Sequence, residues 1–360
     1  MLYAEFCRRA GLTLPPAWEP VYREAQRSGE LTRPPRTEQL ELFYTAYLDQ
    51  VRQAAAQITA DPVALRYYNL LRIRYFISTN GLFLPPQPGN VMRNFAPTLA
   101  LIANWEQTQR ELNRRGIDGG TAARIRKKPE SYLQHHEEHL GYPATSETLF
   151  VWAVHYLRPD LYPIGSLEFE VTTMAGNETV FRHRQTGEAV WLQEPTETDT
   201  AYSGTVYGRG GQEGSPVALS KSEYALWVAP GEDILSVHIP QGADISEVTC
   251  TQSYRAAKTF FAQHYPEKHF KAFYCRSWLM DPDLAVILQP GSRIASFQSF
   301  YRRYPYKSDG NEVFVFVHPA PVTDYNELPE RTSLERALKQ RYLSKDPIYR
   351  YAGLHDLEGV

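Results

Sequence analysis

Apolar residues in the first 163 positions recur at helical spacing, interrupted by proline clusters at Pro15-Pro16, Pro34-Pro35 and Pro85-Pro86 through Pro88. Leu40, Phe43, Tyr44, Tyr47 and Val51 share one stripe, which predicts a helix over Thr37 to Ala55. Asp61-Pro62 is a helix-start signature and predicts a second helix through Leu70 to Phe76. A third is predicted over Pro97 to Arg115, with Leu99, Ile102, Trp105 and Leu112 as its core face. Two shorter helices are predicted at Pro129 to His139 and Thr145 to Tyr156.

At Gly165 the period changes from helical to alternating. Leu167-Glu168-Phe169-Glu170-Val171 reads as a strand, and Thr179 to Gln193 as a hairpin turned at Thr186-Gly187. Residues 203–216 are rich in Gly and Ser and read as a loop or a loose strand connection. Ile234 to Pro240 is a strand closed by proline, followed by a helix from Ser246 with Cys250, Tyr254, Ala257, Phe261 and His264 on one stripe. Ala272 to Cys275 forms another strand, and Asp281-Pro282 starts a short helix. Further strands are predicted at Ile294 to Tyr304 and Glu312 to Val317, then a final helix at Thr332 to Tyr342. The expected fold class is α+β: a helical N-terminal domain, 1–163, followed by a mixed β-sheet domain with flanking helices, 164–360.

Composition narrows the class. Hydrophobic residues make up 42% and charged residues 22% of the 360, which is globular. A net charge of -3 carries no basic excess for a polyanion, so a nucleic-acid partner is not expected. Cys7, Cys250 and Cys275 are too sparse for a disulfide framework and fit a reducing compartment. With neither a signal-peptide core nor an 18-residue apolar run, the expectation is a cytoplasmic protein without a membrane partner.

A strand, crossover helix and parallel strand behind antiparallel strands is a layout shared by several folds. The residues are more specific. His238-Ile239-Pro240 ends one strand, and Cys275-x-Ser277-Trp278-Leu279 leads into Asp281-Pro282. Leu328-Pro329-x-x-Thr332-Ser333-Leu334-x-Arg336-Ala337 closes the region, and Gly165-x-Leu167-x-Phe169-Glu170 opens it. In these stretches the chain resembles a bacterial acyltransferase family with a helical N-acyltransferase N-terminal domain and a GNAT-like C-terminal domain. Two positions depart from that family: Arg293 follows Ser292 where Asn is usual, and Ser166 replaces a usual Arg.

The resemblance implies an N-acyltransferase that moves an acyl group from an acyl-CoA or carrier-protein thioester to an amine. The acceptor would be a small molecule or a peptide, and an acyl carrier protein is a conceivable partner. The donor's pantetheine arm would lie between two splayed parallel strands, here Ile234 to Pro240 and Ala272 to Leu279, against Val237, Ile239, Gln241, Gly242 and Trp278. Its diphosphate would use backbone N–H groups at the next helix start. Gln241-Gly242-Ala243-Asp244-Ile245 lacks the family superfold's Arg/Gln-x-x-Gly-x-Gly/Ala loop, and Asp244 opposes an anion there. Arg184 to Ala189 fits that pattern but sits in a hairpin, away from a helix start.

His238 alternates with Ser236 on its strand and can serve as a general base, or simply fix the strand end by hydrogen bonding. Cys275 can attack a thioester if its thiol is acidified, or pack as a small buried residue. Tyr274 and Ser277 are candidate proton donors to the leaving thiolate. His135 and His139 stand at i and i+4, but the sequence between them is not a zinc-protease motif, so no metal is expected. Arg124, Arg126, Lys127 and Lys128 read as ordinary surface. Two other functions remain open: a non-catalytic GNAT-like module that binds an acyl thioester or metabolite, and an aminoacyl or peptide-bond-forming transferase.

Overall fold

The computed structural model describes residues 1–74, 81–212, 214–288, 291–317, 322 and 324–357. The chain forms two compact units, Met1–Tyr162 and Pro163–Val360. Among the described residues the first contains nine α-helices: α1 Tyr3–Ala10, α2 Trp18–Arg27, α3 Leu48–Ala60, α4 Pro62–Arg74, α5 Val91–Ile102, α6 Trp105–Arg114, α7 Gly119–Arg126, α8 Lys128–Leu140 and α9 Glu147–Leu157. Its core is aromatic, with Phe6 stacked on Tyr22 at 5.3 Å and Phe43 edge-on to Trp105 at 5.4 Å. The expected helix over Thr37 to Ala55 is instead a 3-10 turn at Leu40–Leu42 and then α3. Glu130 explains the break, because its Oε1 accepts the N–H groups of Thr45 at 2.6 Å and Ala46 at 2.7 Å. Those donors are thereby taken out of a helical ladder.

The helix expected over Pro97 to Arg115 is two helices. α5 begins earlier, where the Asn90 side chain accepts the Arg93 N–H at 3.1 Å, and Pro97 lies inside it. The break falls at Ala103-Asn104, before α6. α7, capped by Asp118 at 2.8 Å to the Thr121 N–H, was not expected. α4 starts at Pro62 as expected; its expected end at Phe76 lies outside the described residues. No helix among the described residues is long and apolar enough to cross a membrane.

The second unit is α+β and holds two sheets. The strands are β1 Leu161–Ile164, β2 Leu167–Thr173, β3 Thr179–His183, β4 Ala189–Glu197, β5 Ala201–Val206, β6 Ser215–Ser220, β7 Tyr224–Val228, β8 Asp233–His238, β9 Ala272–Ser277, β10 Arg302–Pro305 and β11 Tyr351–Asp356. The first sheet has the order β1-β2-β8-β9-β11-β10, and the second β6-β5-β4-β3-β7. The second is antiparallel, begins with the expected hairpin, and takes in the Gly-rich stretch as β5 and β6. The two sheets meet through Met174, Val180, Trp191 and Val228 on one side and Ile234, Tyr274, Tyr304 and Leu354 on the other.

The other face of the first sheet is covered by α10, Glu247–His264, which crosses from β8 to the parallel β9. Phe169 of β2 contacts the rings of Tyr254, Phe261 and Phe273 at 5.6 to 6.4 Å. Four further helices follow: α11 Pro282–Ile287, α12 Arg293–Ser299, α13 Glu312–Val317 and α14 Ser333–Leu343. A capping box fixes the start of α14, Thr332 Oγ1 accepting the Glu335 N–H and the Glu335 carboxylate accepting the Thr332 N–H.

Two strand expectations are corrected. The apolar run Glu312 to Val317 is α13, because a short apolar run fits a buried helix as well as a strand. Val313 enters a core with Trp278, Leu284, Leu338 and Tyr342. Ile294 to Tyr304 divides into α12, capped by Ser292 Oγ at 3.2 Å to the Ala295 N–H, and the short β10. The strand that fills the sheet is β11, which was not expected. It inserts between β9 and β10, where a Cβ on Gly353 would lie 3.0 Å from Met280 Cε and Tyr301 Cβ and force those neighbours to give way.

β11 also carries His355 among the rings of Tyr254, at 4.8 Å, Phe273 and Phe300. Its Nε2 is buried with no hydrogen-bond partner among the described residues. Burial first, then the Arg302 charge, lowers its pKa to about 4. Since the folded value lies below the ordinary one, the neutral ring is favoured by folding. The resulting stability is present above about 6.5 and is lost as pH falls towards 4. His355→Phe is expected to reduce that acid-side loss by up to about 3 kcal/mol, at about 1.36 kcal/mol per pKa unit. Urea denaturation at pH 7 and pH 4.5 measures it, and an unchanged pH dependence would refute the assignment.

Candidate functional site

β8 and β9 are parallel, yet their ladder covers just Leu235↔Phe273 and Ser236↔Tyr274. Each strand continues beyond that point with its outer neighbour. β8 stays paired with β2 as far as Glu168↔His238, and β9 with β11 as far as Tyr351↔Ser277. The two strands therefore part after Ser236 and Tyr274, and their inner edges lose a strand partner. Val237, His238, Cys275, Arg276 and Ser277 border the opening.

Strand alternation sorts these side chains onto two faces. Phe169, Leu235, Val237, Phe273 and Cys275 take the α10 side. Glu168, Glu170, Ser236, His238, Tyr274 and Arg276 take the other. His238 and Cys275, sequence candidates for one reaction, thus lie on opposite faces. Cys275 is buried and its thiol is pushed up to about 12 by burial. That environment keeps it protonated and matches the packing role. Ser277 accepts the Leu279 N–H at 3.1 Å and caps a 3-10 turn. Trp278 is buried in the cluster with Leu284 and Tyr342, and Val237 is buried opposite Phe169. Ile239 is half-buried, while Gln241 and Gly242 are exposed.

His238 is half-buried, with Nε2 3.0 Å from Glu170 Oε2. The carboxylate orients the ring and would stabilise an imidazolium formed during proton transfer. Sequence alternation placed Glu170 on a strand, but its pairing with His238 depends on the β2–β8 register.

Tyr274 points its hydroxyl at Glu178, 3.1 Å from Oε2. Glu178 is fully buried, and Tyr304 donates to it at 3.3 Å. Arg276 Nη1 stands 3.7 Å from its Oε1 and donates to Tyr306 Oη at 3.0 Å. The Arg276 guanidinium lies over the Tyr306 ring at 4.9 Å, and that ring stacks on Trp191 at 5.1 Å. None of Glu178, Arg276, Tyr304 or Tyr306 stood out in the sequence. They come from a loop, β9, and β10 with the residue after it, so no local spacing joins them.

After Pro240 the chain turns, the Ala243 N–H donating to the Pro240 carbonyl at 3.1 Å with Gly242 at φ 74°. Beside the α10 start, the Asp244 carboxylate accepts the Ser246 N–H at 3.1 Å and the Thr249 hydroxyl at 3.0 Å. Arg293 Nη1 lies 3.6 Å from Asp244, so this departure from the family pattern brings a cation to the helix start. Elsewhere, His139 Nδ1 is 2.7 Å from the His135 carbonyl, and the buried His136 bonds the Tyr142 carbonyl at 2.9 Å. Both rings are turned to backbone carbonyls.

A mixed sheet with a crossover helix and two parallel strands splaying at their carboxyl ends is the layout of a GNAT-like domain. The chain belongs to the family of GNAT-like C-terminal domains, whose family model matches residues 161–354. Solved structures share the fold. One is an acyltransferase in complex with decanoyl-CoA and teicoplanin, 19% identical with a TM-score of 0.66, covering 99% of this chain and 100% of that one. Another is an acyltransferase in complex with decanoyl-CoA, 20% identical with a TM-score of 0.65 and 99% coverage of both chains. A third, in complex with CoA and 10C-teicoplanin, is 18% identical with a TM-score of 0.66, covering 99% of this chain and 100% of that one. Sequence comparison with curated proteins gives no match.

Burial raises the Glu178 carboxyl above its usual range, against the pull of Arg276 and of the hydroxyls of Tyr306, Tyr274 and Tyr304. The folded value is the higher one, so the protonated form is favoured by folding. Its stabilisation is complete below the ordinary carboxyl pKa of 4.5 and is lost as pH rises through the raised value. Glu178→Gln, neutral and of the same shape, is expected to gain stability relative to the wild type between pH 4.5 and pH 8. Parallel urea midpoints across that range would count against it.

Proposed function

We propose that this chain is an N-acyltransferase that moves an acyl group from an acyl-CoA thioester to an amine within one ternary complex, with residues 164–360 carrying the chemistry. The observation that carries this reading is the parting of β8 and β9 beyond Ser236 and Tyr274 while both remain held in the sheet. A pantetheine arm can pair with the inner strand edges there, and the backbone donors can stabilise a developing oxyanion. Proteins of the same fold hold decanoyl-CoA, one of them together with teicoplanin, which supports an acyl-CoA donor and a small-molecule or peptide acceptor. Free Cys7, Cys250 and Cys275 support a reducing, cytoplasmic setting.

In this mechanism the amine nitrogen attacks the thioester carbonyl carbon. The attacking nitrogen's proton passes to His238, oriented by Glu170, and the carbon–sulfur bond breaks to release CoA thiolate. The thiolate takes a proton from Ser277 or solvent. The Tyr274 hydroxyl is already bonded to Glu178, and burial raises its pKa well above the usual value, so it does not serve as this acid. Arg293 offers the diphosphate a counter-charge beside the α10 start. A non-catalytic acyl-thioester binder is the second reading, favoured by the Asp244 carboxylate, which places a negative charge at the α10 start where a diphosphate would otherwise sit.

Thermal shift against acyl-CoAs of increasing chain length is expected to raise Tm, because a ligand that binds the folded state alone stabilises it. No shift with any of them would remove the donor assignment. Release of free thiol in the presence of amines then separates transferase from binder.

His238→Ala is expected to lower kcat by about 10²–10⁴-fold, the usual worth of a general base, with little change in KM for acyl-CoA. Cys275→Ala is expected to stay within about twofold of wild type, since a buried neutral thiol contributes no nucleophile. A Cys275→Ala enzyme with no turnover but a wild-type Tm would point instead to a covalent acyl-enzyme.

A further inference from the structure

Arg276 stands two residues beyond the last position of β9 that pairs with β8, on the same face of the sheet as His238. Its side chain is 40% exposed although its neighbours Tyr274 and Cys275 are buried. Backbone pairing with Ala352 of β11 fixes its Cα. Glu178 and Tyr306 hold the guanidinium through Nη1, and the Tyr306 ring lies beneath it. Among the described residues Nε and Nη2 have no protein acceptor. That pair of donors is the edge by which a guanidinium grips a carboxylate with two parallel hydrogen bonds.

The face is also polarised across the opening. On the β8 side stand the Glu170 carboxylate and His238, which suit an ammonium that must give up a proton. On the β9 side stands the Arg276 cation. A molecule laid across this face is recognised at one end as an amine and at the other as an anion.

We propose that Arg276 binds the carboxylate of the acceptor, so that the acceptors are amines that also carry an acid group, of the amino-acid type. This rests on the transferase reading for which molecule is the acceptor, while the binding preference itself does not require turnover. Tyr306 is a positioning residue, acting through Arg276. Glu178 has the same role.

Matched probes test it: L-leucine against isoamylamine, and L-phenylalanine against phenethylamine, which differ by the carboxylate. Calorimetric titration onto the full chain is expected to show the acid-bearing member of each pair binding at least about tenfold tighter, as one charge-assisted pair allows. Arg276→Gln is expected to abolish that preference, Arg276→Lys to keep part of it, and Tyr306→Phe to reduce it. Should Arg276→Gln not fold, judged by its Tm, the Lys and Phe variants carry the comparison. In the thiol-release assay, Arg276→Gln should raise KM for the acid-bearing amine about tenfold and leave KM for acyl-CoA in place.

Equal affinity within each pair, no binding of any probe, or an equal loss for both members in Arg276→Gln would overturn the proposal. Carboxylate-selective binding without thiol release would refute the transferase reading and leave Arg276 as an anion-binding residue. Thiol release with no preference between paired probes would do the reverse.

Discussion

The opening between β8 and β9 depends on two parallel strands being held from outside rather than by each other. β8 is pinned to β2 along its length and β9 to β11, so the pair can separate after Ser236 and Tyr274 without either strand leaving the sheet. An opening made by fraying would close or unfold. Here the outer ladders fix the inner edges in an extended form that leaves backbone polar groups in need of a partner, a standing demand for an extended ligand. β11 is therefore as necessary to the opening as β8 and β9, although it bears none of the candidate groups. Its Gly353 lets Met280 and Tyr301 approach closely enough to keep it in place.

Alternation along these strands separates packing from chemistry. On the α10 face Phe169, Phe273 and Cys275 pack with Tyr254 and Phe261, and burial keeps the Cys275 thiol protonated. On the opposite face Glu170, His238, Tyr274 and Arg276 collect beside the second sheet. A shift of β8 by one residue against its neighbours would turn its side chains over. It would bury the imidazole against α10 and turn Leu235 and Val237 out of the core, so the core that stabilises the sheet also fixes which residues can act.

The order of strand, crossover helix and strand, and the boundaries of β8, α10 and β9, could be read in the sequence because proline, serine and apolar spacing mark each end locally. What could not be read was settled by distant partners. The run Val313 to Val317 has a composition that fits a strand, and became helical because the sheet position was filled by Tyr351–Asp356, a segment with little β signature. His238 and Cys275 were recognisable as residues, but whether they faced each other depended on strand phase, which short motifs do not carry. Glu178 and Arg276 were invisible, since a lone carboxylate in a loop and a lone arginine in a strand acquire meaning only when folding brings them within 3.7 Å.

The buried Glu178 is hard to explain by stability alone. Moving a carboxylate out of water costs several kcal/mol, and an apolar side chain of similar size with apolar neighbours is commonly as stable or more so. Its partners suggest what is gained. Tyr274 and Tyr304 direct their hydroxyls at it, and Arg276 and Tyr306 close the group above. Each of those side chains has several rotamers, and a shared acceptor selects one for each. The result is a guanidinium held through Nη1 and over the Tyr306 ring, partly exposed beside an opening in the sheet. A charge that must meet a ligand in one orientation benefits from being fixed before the ligand arrives, because the ordering cost is then met in folding rather than in binding. The cluster is thus better understood as preorganisation of the polar face than as a contribution to the core.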